Sequence, residues 1–435
     1  MIYIIPLFFP FLILVISIWK YAGDWKAPAV ILSALYLTVC VSALFIDTDL
    51  LTYVSRFEFN HSAIVLVAFS ALIGIALLPG LYAAKIAPEK VIAFGSRWKT
   101  GITLMSIYGY ASALYITPFA LRSIALNAED VRVAKDGIFL PGNYATTFAV
   151  VPVVFFAVYG LVLFSGLSRG VSKWIIFGLI LGYSSYAISS QTVKSREWFL
   201  QYVLLSILYY WLFGKSFHNV ARRVFRLSVM VLAVAGTISV AVITVQRFQY
   251  RSTSGGIAGG TIGYLGQQMY VFAEVVSVES GSSEWFARRL FFPLYYNIVE
   301  GEKIDTTALL ADRNYGYDNK FGTFLASLYL VGGWPATIIF TLTFSGLFCL
   351  LIVFLKAKTI YSYSLVLIFY YQFMYQGAFY WMMYGRGWNV YMIAVPCLAV
   401  VLYINERGGL RLGGVRRKST QSGVLMLRRG SRRVY

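Results

Sequence analysis

Two arginines one helical turn apart, Arg247 and Arg251, close the apolar run ISVAVITVQRFQYR (238–251), and a glycine-rich stretch, GGIAGGTIGYLG (255–266), follows. Residues at i and i+4 share a helix face, so the spacing turns two guanidinium groups the same way. Guanidinium is a permanently charged planar fork that matches a phosphate bidentately. Arg122, Arg196 and Arg386 stand in comparable places, at the ends of other apolar runs. Arginines grouped at that depth suit a lipid-linked phosphate or pyrophosphate, with its tail lying between helices. Taken singly, each arginine also fits a side chain that snorkels to the headgroups.

Other polar candidates fall in two long connecting segments. The first, RSIALNAEDVRVAKDGIFLPGNYA (122–145), adds Arg132. The second holds EWFARRLFFPLYYNIV (284–299), where Arg288 and Arg289 sit among aromatic rings in a pattern that suits an interfacial helix. It also holds DRNYGYDNKFG (312–322), which gathers Asp312, Arg313, Tyr315, Asp318 and Lys320 into a short turn. Aromatic rings beside cations suit a sugar chain, whose apolar ring faces stack on them. Asp130, Glu274, Asp312 and Asp318 are the carboxylates within reach as a general base, and the sequence does not choose among them.

Several chemistries are set aside. The only histidines are His61 and His218, far apart and in no cluster with metal-ligand spacing, so no metal site is expected. No Walker-type sequence occurs, and the glycines of 255–266 lack dinucleotide-fingerprint spacing; the stretch reads as a flexible linker, and no cofactor is expected. The spans carry essentially no ionisable residue at lipid depth, which argues against a proton-coupled or ion-conducting path. Gln191, Gln201, Gln372 and Gln376 are their strongest polar groups, and hydrogen bonds between helices account for them.

The elements that position these residues follow from composition. Hydrophobic residues make up 59% of the 435-residue chain and charged residues 13%, against roughly 25% charged in soluble domains. Apolar runs recur at the length of about 20 residues that crosses a bilayer. The fold class is therefore an all-α polytopic membrane protein with about eleven transmembrane helices: 2–19, 28–46, 62–84, 101–121, 146–167, 174–191, 198–214, 227–245, 335–355, 362–384 and 388–404. The first run has no basic leader or cleavage site and reads as a retained span. Residues 321–355 are too long for one crossing, and GGWP (332–335) breaks them, leaving 321–331 as an interfacial or re-entrant helix. Cys40, Cys349 and Cys397 lie in apolar runs and are expected as buried thiols.

Charge sets the orientation. One set of loops holds 23 of the 37 basic residues against Asp24, Glu89 and Glu406; the other holds 14 against 15 acids. By the positive-inside rule the N-terminus is outside and the C-terminus inside. Residues 1–404 form the transmembrane catalytic domain, with extracytoplasmic segments at about 122–145, 192–197 and 246–334, and 405–435 form a basic cytoplasmic tail. Anionic lipid beside that tail explains its charge, and no nucleic acid is expected as a partner.

The motifs come in a telling order: SREWFLQYVLLS opening a span, VQRFQYR closing the next, an aromatic-Pro-aromatic run, NKFGTFLASLYLVGGWPATIIF, then YGRGWNVY before the last span. Over roughly 100–404 this order resembles the oligosaccharide repeat-unit polymerases of the Wzy type, which serve O-antigen, capsule and enterobacterial common antigen. The resemblance implies a GT-C-like glycosyltransferase of the bacterial inner membrane, N-terminus periplasmic. It would move a growing glycan from undecaprenyl pyrophosphate to the non-reducing end of a new lipid-linked unit, without metal. By position Arg196, Arg247, Arg251 and Arg386 match the family's cationic positions. Joined with the residues read from charge and spacing, the expected catalytic set is Arg196, Arg247, Arg251, Asp312, Arg313 and Asp318, and Arg122, Arg132, Arg288, Arg289, Tyr315, Lys320 and Arg386 are expected to bind substrate. A repeat-unit flippase and a chain-length regulator are the protein partners the resemblance brings. Members with a double-arginine motif space arginine and glycine by ten residues; here Gly263 follows Arg251 one position late. An O-antigen ligase and a lipid-linked oligosaccharide flippase are the alternatives. The first is weakened by the absence of histidine from 246–334, the second by the lack of a charged central cavity.

Overall fold

A computed structural model describes residues 2–21, 23–46, 63–83, 96–124, 126, 143–166, 171–192, 195, 197–217, scattered helical positions from 222 to 245, 256–278, 323–356, 360–379 and 386–416. Among these the chain is helical throughout, with no strand. A 3₁₀ turn, Ile2–Leu7, leads into α1 (Phe8–Lys20); α2 (Pro28–Ala43), α3 (Ala63–Tyr82) and α4 (Ser96–Ile124) follow. The next apolar run is broken into α5 (Tyr144–Ala149), α6 (Val151–Val154) and α7 (Phe156–Gly166). Then come α8 (Lys173–Thr192), α9 (Glu197–Phe213), α10 (Gly256–Val278), α11 (Phe324–Leu355), α12 (Ile360–Phe379) and α13 (Arg386–Arg416).

Ten of the eleven expected spans coincide with these helices, and the eighth, 227–245, is described only at scattered positions. Four helical stretches are long and apolar enough to cross a bilayer by themselves: Ala63–Tyr82, Trp98–Ser123, Phe324–Leu355 and Asn389–Glu406. Tyr144–Val154 with Phe156–Ser165 makes a fifth, bent by 51°. The run expected as a span at 146–167 is thus a bent pair of helices. Pro152 stands in the first turn of α6, where its missing N–H costs little, and the run bends three residues further on, at Phe155.

Contacts fix how neighbours run. Phe9 N–H donates to Ser70 Oγ at 3.3 Å and Tyr21 Oη–H to the Gly80 carbonyl at 2.9 Å, so α1 and α3 are parallel. Tyr110 reaches the Trp174 carbonyl (2.9 Å) and Ser123 the Gln191 carbonyl (2.6 Å), so α4 and α8 are parallel as well. Gly109, Gly178 and Gly182 let these two approach so closely that a Cβ at Gly109 would meet the Gly178 carbonyl. α11 and α12 are antiparallel: Phe340 stacks on Phe373 (6.1 Å) and Phe348 on Phe369 (5.7 Å).

The break expected at GGWP is present. Gly333 has φ +63° and ψ −154°, open to glycine alone, and Pro335 follows. Thr337 Oγ donates to the Gly333 carbonyl at 2.9 Å, a side-chain bond back across the first turn of the second arm. Every residue from Phe324 to Leu330 is buried, so this arm lies inside the protein; an interfacial helix would leave one face outside.

Two expectations fail. Residues 256–266 are no linker: they form the first half of α10, a helix that packs on α2, α3, α11 and α12. A Cβ at Gly266 would lie 2.5 Å from the Ala43 nitrogen, so this glycine serves close packing. Nor are all three thiols buried. Cys40 is, whereas Cys349 is partly exposed and Cys397 exposed, on faces turned away from the rest of the bundle.

Candidate functional site

The described helix ends sort into two groups. At one end Lys20 lies over the Tyr82 ring (5.2 Å) and close enough to Lys356 for mutual repulsion to help hold its ammonium below the usual lysine range, with burial the larger cause. Lys26 lies over the Tyr210 ring (5.1 Å), and Arg226 donates to the Tyr210 hydroxyl (3.3 Å). Glu406 accepts the Tyr361 N–H (2.8 Å) and the Ser362 hydroxyl (3.0 Å), a carboxylate at the N-terminus of α12. These are the ends assigned inside by charge.

The opposite end gathers the elements that flank the arginine candidates. Ser123 and Gln191 join the last turns of α4 and α8. Deeper, at mid-height, the Phe155 ring at the break between α6 and α7 packs on Tyr391 of α13 (6.1 Å), which also stacks on Phe369 in the middle of α12. The Tyr270 hydroxyl bonds the Ala43 carbonyl (2.9 Å), tying α10 to the end of α2. Behind them Phe272, Tyr329 and Trp334 meet edge to face around the α11 break (5.5–6.5 Å). Phe156, Tyr183, Tyr186 and Tyr202 form a second aromatic cluster, with Phe156 stacked on Tyr186 at 4.4 Å.

Of the candidate residues, Arg122 is exposed on the last turn of α4, its guanidinium over the Phe119 ring at 5.8 Å. Arg386 is the first residue of α13. Arg132, Arg196, Arg247, Arg251, Arg288, Arg289, Asp312, Arg313, Tyr315, Asp318 and Lys320 lie outside the described residues. So does Asp130, and the connecting segments 122–145, 192–197 and 246–334 are described only in part. Of the glutamines, Gln201 Nε2 donates to the Tyr186 hydroxyl (3.1 Å) and Gln372 Oε1 accepts from Tyr391, both between helices as expected.

Sequence reasoning missed a buried polar row. Gln267, Gln268 and Glu274 lie on α10 and are at most 6% exposed. Glu274 is the one base candidate among the described residues, and it sits in packed interior rather than in a loop. The apolar spacing Ile262, Leu265, Met269, Phe272, Val275 was a helical signal; five glycines in 256–266 hid it. Among the described residues no group of three or more His, Cys, Asp or Glu is placed to hold a metal ion. Comparison of the chain with protein-family models, curated proteins and solved structures returns no match.

Proposed function

We propose that the chain crosses the membrane eleven times, N-terminus outside, and polymerises lipid-linked oligosaccharide repeat units. The observation that carries the reading is convergence. Helix ends flanking Arg122, Arg196 and Arg386 come from distant parts of the sequence, yet Ser123–Gln191 joins the last turns of α4 and α8, and at mid-height Phe155 holds α13, the helix that Arg386 opens, against the break between α6 and α7. The parallel pairs α1/α3 and α4/α8 are what successive crossings require, which supports the count.

In this reading a hydroxyl oxygen of the incoming unit attacks the anomeric carbon of the growing glycan. The bond from that carbon to the pyrophosphate oxygen breaks, and the hydroxyl proton passes to a carboxylate. Guanidiniums preorganised around the pyrophosphate hold the charge that develops as it leaves, which removes the need for a metal. The carrier would be undecaprenyl pyrophosphate in a bacterial inner membrane, with a flippase supplying units and a regulator setting chain length.

The test uses arginine geometry. Lysine keeps the charge of Arg247 or Arg251 but loses the fork. Loss of one transition-state donor costs about a hundred- to a thousandfold in rate. Arg247→Lys and Arg251→Lys should insert normally yet leave single repeat units on the carrier, while exposed Arg223→Lys at the other end should make full-length polymer. Normal chain length from both outer variants would return these arginines to simple headgroup anchoring.

A further inference from the structure

The end of the bundle opposite the candidate site contains a cavity of about 220 Å³, lined by Asp24, Lys26, Tyr210, Trp211, Leu212, Gly214, Lys215 and Arg222. Its walls are built from two chain reversals. After α1 the chain turns at Gly23, and Asp24 Oδ1 accepts the Lys26 N–H (3.3 Å), which fixes the loop carrying Lys26. After α9 it turns at 214–217, where Gly214 N–H donates to the Tyr210 carbonyl (2.8 Å). Arg222 returns over that turn, and its Nη2 donates to the carbonyls of Gly214 (3.3 Å) and Phe217 (3.5 Å).

The charge in this cavity is not balanced. Three cations, Lys26, Lys215 and Arg222, face one carboxylate, Asp24, too few to match them all. Lys26 rests instead between the rings of Trp25 (5.3 Å) and Tyr210 (5.1 Å). Arg222 Nε is buried without a hydrogen-bond partner among the described residues, although one Nη is anchored on the turn. A buried guanidinium N–H left unmade is costly, and an anion in the cavity satisfies it. Arg226, on the Tyr210 hydroxyl, adds positive potential at the rim. Trp25, 59% exposed beside the cavity, and Trp19, 83% exposed at the end of α1, are placed as interfacial anchors, which puts the opening at headgroup depth.

We propose that this cavity is a phosphate site, filled by the phosphate of an anionic lipid headgroup or by free phosphate. The space accommodates a phosphate and several waters, since one water occupies roughly 30 Å³. Guanidinium and ammonium donors converge from both reversals, so the bound anion joins the turn after α1 to the turn after α9. The inference does not rest on the polymerase reading, because its residues lie at the other end from the outer arginines.

Full-length protein purified in neutral detergent is titrated with phosphatidylglycerol, with phosphatidylcholine and with inorganic phosphate. Native mass spectrometry reads the lipid adducts, and ³¹P line broadening reads free phosphate. Phosphatidylglycerol should be retained more tightly than phosphatidylcholine, and Lys26→Gln and Lys215→Gln should each weaken it about fivefold. Lys99→Gln, exposed at the same end outside the cavity, should change nothing. Broadening of phosphate that the same two variants abolish, without lipid preference, assigns the site to free phosphate. Equal retention of both lipids without phosphate binding overturns the proposal, as does phosphatidylglycerol binding that both lysine variants leave intact. Arg222→Gln should act in the same direction, but Arg222 also holds the turn; the exposed Lys215 carries the decision if that variant unfolds.

Discussion

The second arm of α11 and the whole of α12 lie side by side, and their compositions are the reverse of what a soluble protein would use. The α11 arm is strongly apolar, yet Ile339 is 64% and Leu350 72% exposed. α12 reads IYSYSLVLIFYYQFMYQGAF, with five tyrosines, two serines and two glutamines, and nineteen of its twenty residues are buried. In a bilayer, leucine facing outward costs nothing, because lipid is as apolar as leucine. Interior positions go to side chains that pack closely and hydrogen-bond across helices. The tyrosines of α12 do so: Tyr370 donates to the Ala76 carbonyl (2.9 Å), and the Tyr36 hydroxyl comes back from α2 to the Met374 carbonyl (2.7 Å).

Substitution along the two helices tests that contrast. The largest effect is expected at Tyr370→Ala, which empties a fully buried volume between α3, α11 and α12. A loss of about 3–5 kcal/mol follows from the cavity, seen as a sharply lower melting temperature of the purified protein in detergent. A melting temperature like that of wild type would mean that α12 is not the packed centre. A smaller loss, about 1–3 kcal/mol, is expected for Glu406→Ala, which strips the N-terminus of α12 of two hydrogen bonds. Glu406→Gln keeps an acceptor and should recover part of it. Leu350→Ala should change stability by less than about 0.5 kcal/mol. A loss above 2 kcal/mol there would place that face against protein, and the same measurement on Leu347→Ala would map how far the contact extends.

The same contrast explains what could be read from residue types alone. Helix positions follow from apolar length, and the GGWP break follows from Gly333 and Pro335, which act locally. Whether a helix is inside or outside the bundle does not follow, because α11 and α12 both present as spans while differing in exposure. α10 was hidden for a related reason. Five glycines in its first eleven residues look like a flexible tether, and only the nearness of the Ala43 backbone to Gly266 shows that this one is packing surface. The α4–α8 contact was equally invisible: Gly109, Gly178 and Gly182 belong to spans separated in sequence by another crossing. The candidate arginines were found by charge type at span ends, a signal that needs no packing. Whether they meet depends on helix ends far apart in sequence, and that no spacing rule contains.

The bonds from Tyr36 to Met374 and from Tyr370 to Ala76 join residues 338 and 294 positions apart. Synthesis at about 5–20 residues per second separates the emergence of Ala76 from that of Tyr370 by roughly 15–60 s. Throughout that interval α2 and α3 are already made, and the faces that α12 will cover are bare. In water such faces would draw other chains to them. Lipid tails fill them at little cost and leave when α12 arrives, so the bilayer acts as a placeholder for the core until nearly nine-tenths of the chain has been translated.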